Sequence, residues 1–503
     1  MNWNFWLPIF LPLSSLVTAL LILVIRENQH RLRTFVNLLG ATLKIVMVAV
    51  VGYGVYTQHA YEARMPLSLT LDLVLRVDDI SLLFLALSST LWFLTTIFAV
   101  GYLEGSPHQS RFFCFFSLCM TATMGISLAG NLITFLIFYE MLTLATYPLI
   151  VHRGTEKALR AGRIYLAYTL VGGAVTLAGT AWIHTLVGPT QFAHGGVLAP
   201  LAPTHRHQLQ AIFTLMIVGL GVKAALFPLH GWLPTAMVAP APVSALLHAV
   251  AVVKAGVFGI VRLIYDVFGV KFAVSLGVLA PLSWLAGFTI VYGSIRALFQ
   301  HDLKRRLAYS TVSQLSYIVL GAAVFGASGT IGALAHLVHQ GLMKITLFFC
   351  AGILGETWGI HGVDELSGIG RRMPLTMGAF TIAAFGMIGT PPMAGFVSKW
   401  YLGLGGVRAG DYWVLAVLIA SSVLNCAYFL PIIHDAWFGK SRQDSVALPQ
   451  RRSLVVPAAE TSLPLLLPAL VTAFMSLTAG LFAGSHFSPL GAARLITERM
   501  YAP

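Results

Sequence analysis

The sequence predicts an all-α polytopic membrane protein of about fourteen transmembrane helices, on three observations. Hydrophobic residues make up 57% of the 503 and charged residues only 10%, with a mean hydropathy of +0.82; about a quarter of a soluble domain is charged. Apolar runs of about twenty residues recur along the chain, the length that crosses ~30 Å of hydrocarbon at ~1.5 Å per residue. The runs are continuous and do not alternate over about ten residues, which argues against a strand barrel.

The first run, Phe5 to Ile25, has no basic leader and is as long as a bilayer is thick, so it reads as a retained span. The next five lie at about 35–56, 79–101, 112–129, 131–152 and 163–187. The seventh, about 209–229, runs into "KAALFPLHGWLP", where Pro228 and Pro234 interrupt the helix because proline lacks the N–H a helix needs. The eighth to eleventh follow at about 241–266, 272–299, 307–326 and 330–354. The twelfth, about 374–402, carries a second interruption in "GMIGTPPMAGFVSKW", with Pro391 and Pro392 between Gly389 and Gly395. Two more, about 411–437 and 461–484, complete the set. Short loops leave 1–503 as a single transmembrane domain. The broken spans stand five apart, an odd number, so the two halves cross the membrane in opposite directions, the mark of an inverted-repeat transporter.

Lysine and arginine collect in cytoplasmic loops. One set of alternate loops holds eighteen basic residues, including Arg442, Arg451 and Arg452 after the thirteenth span, and the other set holds seven. That bias places both termini outside. The net charge of +13 then reflects topology and contact with anionic lipid, not nucleic-acid binding. Cys114, Cys119, Cys350 and Cys426 sit singly in apolar runs, so no metal site, cofactor or disulfide framework is expected.

Six basic residues remain inside spans: Lys44, Lys223, Lys254, Arg262, Lys344 and Lys399. Arg262 lies near a span end and can snorkel, and Lys44 has no polar signal nearby. Among the carboxylates only Glu140 lies deep in a span. A charge at the bilayer centre costs roughly 2.5–3.5 kcal/mol. One carboxylate cannot pair four lysines, so with His230, His248, His336, His339 and His434 these residues suggest a proton relay more than fixed ion pairs. His336, Gln340 and Lys344 stack on one helix face over about 12 Å, whereas His248 and Lys254, six apart, are expected to face different neighbours.

The stretches "FYEMLTLATYPLIV", "GVKAALFPLHGWLPTAMVAPAPVSALLHAVAVVKAGVFGIVR", "HDLKRRLAYSTVSQLSYIVLG" and "GTPPMAGFVSK" resemble the antiporter-like proton-translocating subunits shared by complex I, membrane-bound hydrogenases and Mrp-type sodium/proton antiporters. Gly221 to Arg262 is most similar to the D-type subunit of the Mrp antiporters. The resemblance implies that Glu140 is the acidic switch, Lys223 its partner, His248 with Lys254 a relay, His336 and Lys344 the continuing axis, and Lys399 the terminal residue. It also implies two inverted five-helix repeats, 112–266 and 272–437, with broken helices 7 and 12, flanked by 1–101 and 461–484, no chemistry of the chain's own, partner membrane subunits in a hetero-oligomer, protons and candidate sodium as transported ions, and a bacterial or archaeal inner membrane. Gln340 and Lys399 stand where some relatives carry histidine and glutamate. The alternatives are a proton-pumping module of a redox complex, the membrane partner of a peripheral enzyme in inorganic-carbon uptake, and a purely structural subunit, against which the buried lysines argue.

Overall fold

A computed structural model of the chain describes residues 2–68, 71–440 and 460–501; Arg442, Arg451 and Arg452 lie outside the described residues. Helices α1 (Trp3–Val24) and α2 (His30–Tyr56) lead into an antiparallel hairpin, β1 (Tyr61–Pro66) and β2 (Asp72–Val77), with Tyr61 opposite Val77. Then come α3 (Asp79–Tyr102), α4 (Gln109–Leu128), α5 (Leu132–Ile150) and α6 (Glu156–Val187). Asp78, Asn131 and Thr155 cap α3, α5 and α6 by accepting from the N–H groups of Ser81, Thr134 and Ala158, which satisfies donors that a helix start leaves free.

Helix α7 (Ala202–Lys223) stops at the first break, followed by the short α8 (Trp232–Thr235). A buried column follows: α9 (Ala241–Ala245), a π turn at Leu246–Val250, α10 (Val252–Arg262) and a second π turn at Leu263–Phe268. Next are α11 (Val270–Leu276), α12 (Leu279–Leu298), α13 (Leu303–Ala323) and α14 (Ala327–Trp358). The second break separates α15 (Pro374–Ile388) from α16 (Ala394–Ala409); α17 (Trp413–Phe438), α18 (Leu463–Leu481) and α19 (Pro489–Tyr501) complete the chain.

Helix occupies each of the fourteen predicted stretches. Among the described residues ten helical segments are long and apolar enough to cross a membrane, or eleven counting α11 and α12, which bend by 94°, as one span. Helices α7 and α13 fall short because polar residues dilute them, among them Ser310, Ser313 and Gln314, all buried. The column 241–268 is buried throughout and α14 nearly so, whereas α1, α2 and α6 are about one third buried. The polar column therefore runs through the centre of the bundle.

The hairpin was not expected. It grips the start of α5: the Val74 N–H donates to the Thr134 hydroxyl at 2.8 Å, and the Asn131 amide donates to the Asp72 carbonyl at 2.9 Å. The helix α19 was also not expected; its Leu490, Ala493 and Ile496 are buried, Arg494 and Glu498 are exposed, and Arg499 pairs with Asp79 of α3.

Candidate functional site

Glu140 projects from α5 at half burial, between the exposed Ile137 and Leu144. Its carboxyl lies against Gly173 of α6, where an added Cβ would collide with Oε1 and meet Cδ at 2.5 Å and Oε2 at 2.9 Å. Oε1 is buried without a hydrogen-bond partner. Lys223, the last residue of α7, is fully buried; its Nζ donates to the Tyr139 carbonyl and stands 3.3 Å from the Tyr139 ring centroid. No ion pair within 4.0 Å joins Lys223 to Glu140. The lysine is thus seated on the backbone of the carboxylate's own helix, not on the carboxylate.

The first break is satisfied by protein. Ala225 has a positive φ of 56° and the Phe227–Pro228 bond is cis. The Trp232 indole donates to the Val222 carbonyl at 2.8 Å, and the Phe227 N–H donates to the Thr289 hydroxyl at 3.2 Å, as freed backbone at membrane depth requires. His230 sits among the rings of Phe227, Tyr292 and Tyr309.

Gly256 of α10 packs directly on the Lys223–Ala224 backbone, and Lys254, two residues earlier and about 200° around that helix, is turned away from the break toward α14. Lys254 donates to the Leu337 carbonyl of α14 at 2.6 Å, next to His336. The His336 Nδ1 pairs with the Ser398 hydroxyl of α16 at 2.8 Å, and Lys254 and Lys399 are its cationic neighbours. Lys399 donates to the carbonyls of Met387 (3.0 Å) and Ile388 (2.8 Å), where α15 breaks off, and to the Ser422 hydroxyl at 3.1 Å. It both closes the second break and ends the row.

Lys344 donates to the Leu307 carbonyl at 3.1 Å and to the Ser310 hydroxyl. His248 stacks on Phe348 with centroids 4.5 Å apart. Both His248 and Lys254 therefore face α14, contrary to the expectation from a regular helix. The π turn at Leu246–Val250 and the non-helical Ala251 (φ −115°, ψ −81°) reset the phase between them. Lys254, His336 and Lys399 form a row, while His248 and Lys344 lie about two turns along α14. Both ring nitrogens of His248 and the side-chain amides of Gln314 and Gln340 lack hydrogen-bond partners although buried. Leaving such groups dry costs about 1–3 kcal/mol each, so these positions favour water.

Four further sequence expectations are corrected. Arg262 does not snorkel: it is 2% exposed and pairs with Asp78 and Asp266 at 2.7 Å each. Asp266, 3% exposed, is thus a second buried carboxylate. Lys44 does have polar company, donating to the Ser15 hydroxyl at 2.5 Å and lying 5.3 Å from the Trp92 ring centroid. His434 is 71% exposed and stands apart from the row. Ser310, Ser398, Ser422 and Tyr139 were missed because hydroxyls and a carbonyl partner give no signal in sequence.

The transmembrane family described as NADH:quinone oxidoreductase/Mrp antiporter matches residues 129–425, and that of the complex I chain 5 N-terminus matches residues 65–113. NADH-quinone oxidoreductase subunit N of Desulforudis audaxviator is 40% identical over 347 residues, 68% of each chain. The D-type subunit of the Na(+)/H(+) antiporter of Bacillus subtilis is 26% identical over 479 residues, covering 94% of this chain and 93% of that one. A chain of the Mrp complex from Dietzia sp. DQ12-45-1b superposes with a TM-score of 0.86 at 23% identity over 100% of this chain and 98% of that chain, a likeness of fold.

Proposed function

The chain belongs to the NADH:quinone oxidoreductase/Mrp antiporter transmembrane family, and from that membership we propose that it moves protons along the buried row in Mrp-type cation/proton antiport. It is an antiporter-like subunit of the kind found in multisubunit membrane complexes. The observation that carries the reading is that Lys223, Lys254, Lys344 and Lys399 are all buried, and among the described residues none forms an ion pair; each is held by carbonyls or hydroxyls. Such a seat accommodates the ammonium without fixing it, as a relay needs.

In this reading Glu140 is the switch. Two unit charges ~4 Å apart at an effective dielectric of ~20 interact by ~4 kcal/mol, and by ~2 kcal/mol at ~8 Å. Moving the carboxylate between those distances changes proton occupancy of Lys223 on the order of thirtyfold. A partner subunit against the half-buried side of Glu140 would drive that movement, and the proton would pass by Lys254 and His336 to Lys399. His248 and Lys344 would supply the row from one side. Fourteen crossings in two inverted repeats, with both termini outside an inner membrane, fit the two breaks and the loop charges.

The 40% identity to a subunit N favours a second reading, the proton-pumping module of a redox complex. Purification in mild detergent with identification of co-eluting proteins, followed by reconstitution, separates the two. Antiport predicts small membrane subunits and a pH gradient dissipated by sodium or potassium. Iron–sulfur proteins and cation-independent pumping would establish the second reading instead.

A further inference from the structure

Two adjoining cavities lie away from the proton row. One, of about 760 Å³, is walled by α2, α3 and α19, with Val48, Gly52, Leu82 and Ile496 among its lining residues. The other, of about 460 Å³, lies between α3, α14, α18 and α19. Leu83, Ala86, Thr90, Phe487 and Ala492 line both. Phe487, 98% exposed, stands at the shared wall.

Depth and polarity restrict what fits. From Asp79, at the start of α3, to Thr90 is eleven residues, or ~16 Å of helix. That matches half of a ~30 Å hydrocarbon core, one leaflet. The lining is mostly apolar, with the Ser89 and Thr90 hydroxyls and a polar set made of Asp79, Arg499, His486 and Tyr56, of which Arg499 pairs with Asp79 at the start of α3. Tyr56 is 77% exposed, as an aromatic residue at a membrane interface is, and α19 is amphipathic with Leu490, Ala493 and Ile496 buried. Arg499 Nη1 meets Asp79 Oδ1 at 2.6 Å, so this set presents a carboxylate and a guanidinium side by side, with further guanidinium N–H groups to donate.

We propose that these paired cavities bind one zwitterionic diacyl phospholipid, one acyl chain in each with Phe487 between them, its headgroup ammonium toward Asp79 and its phosphate toward Arg499 and His486. Two cavities sharing a wall suit two chains leaving one glycerol, and the juxtaposed charges suit a dipole lying antiparallel to them. The floor includes Val338 and Leu342 of α14, which lie about 200° around that helix from Gln340 and Lys344. The lipid therefore props the helix of the proton row from behind. This inference is independent of the transported ion.

The intact complex, carrying wild-type or variant chain, would be delipidated in detergent and examined by native mass spectrometry. It would then be offered phosphatidylethanolamine or phosphatidylglycerol in nanodiscs. One phosphatidylethanolamine should survive delipidation per chain and be preferred over phosphatidylglycerol. Ala86→Trp, which fills the shared wall, should release it, and Arg499→Gln should weaken it on the order of tenfold. Should Ala86→Trp fail to assemble, Arg499→Gln and Asp79→Asn decide alone. The proposal is overturned by no retained lipid, by equal retention of both headgroups, by retention unaffected in the variants, or by another subunit's helix occupying the cavities in the intact complex.

Discussion

Replacing Gly173 by alanine puts a methyl group where the Glu140 carboxyl now lies, overlapping Oε1 and within 2.9 Å of Oε2. The α6 backbone cannot retreat freely, because neighbouring Gly172 is itself within 3.0 Å of the Gly219 carbonyl for any added Cβ. The carboxyl must therefore shift by about 1 Å, and overpacking of this kind costs ~1–3 kcal/mol. If the shift takes the Glu140–Lys223 separation from ~5 to ~6 Å, their interaction falls by ~0.6 kcal/mol at an effective dielectric of ~20. That corresponds to about a two- to threefold slowing of a step that depends on the pair. Initial rates of proton movement by the reconstituted complex would measure it, with thermal unfolding as the control for assembly. A wild-type rate for Gly173→Ala would refute the reasoning.

Arg262→Met strands Asp78 and Asp266 and should cost about 3–5 kcal/mol, read as a large fall in unfolding temperature that Arg262→Met/Asp266→Leu partly restores. His152, beyond the end of α5, is pushed down to about 4 by burial and then by Arg111, His108 and Arg153. Its folded form resists a proton the unfolded chain accepts near 6.5, so its contribution to stability is whole above pH 6.5 and is lost as pH falls toward 4; His152→Phe should flatten that part of the stability profile. Lys44→Met removes a buried amine outside the row while nearly conserving volume, so stability should hold or rise slightly and transport stay unchanged. Lys254→Met, a similar exchange inside the row, should reduce proton flux by at least about tenfold.

Much of the architecture was legible because bilayer physics writes it into long patterns. Runs of about twenty apolar residues located the helical stretches from α1 to α18 except the short α8, and the paired prolines located the breaks after Lys223 and Ile388. Charges in the apolar runs located the buried Lys223, Lys254, Lys344 and Lys399, and the same signal marks Lys44, which lies apart from them. What escaped depends on partners distant in sequence. The face presented by His248 follows from one π turn, and no composition announces an extra residue per turn. Arg262 looked free to snorkel although Asp266, four residues on along the same helix, was in reach of a sequence reading; only its other partner, Asp78, lies far away, at 184 residues. The hairpin strands are six residues each, and their alternation is too short to stand out between helices. Lys223 and Glu140 carry opposite charges, but only the backbone places Tyr139's carbonyl nearer the ammonium.

The central claim, that the buried row carries protons under control of Glu140, is tested most directly by proton translocation in vesicles containing the intact complex with Glu140→Gln or Lys223→Ala. The account predicts that each variant assembles normally and loses most of its proton flux. Undiminished translocation in both would contradict it.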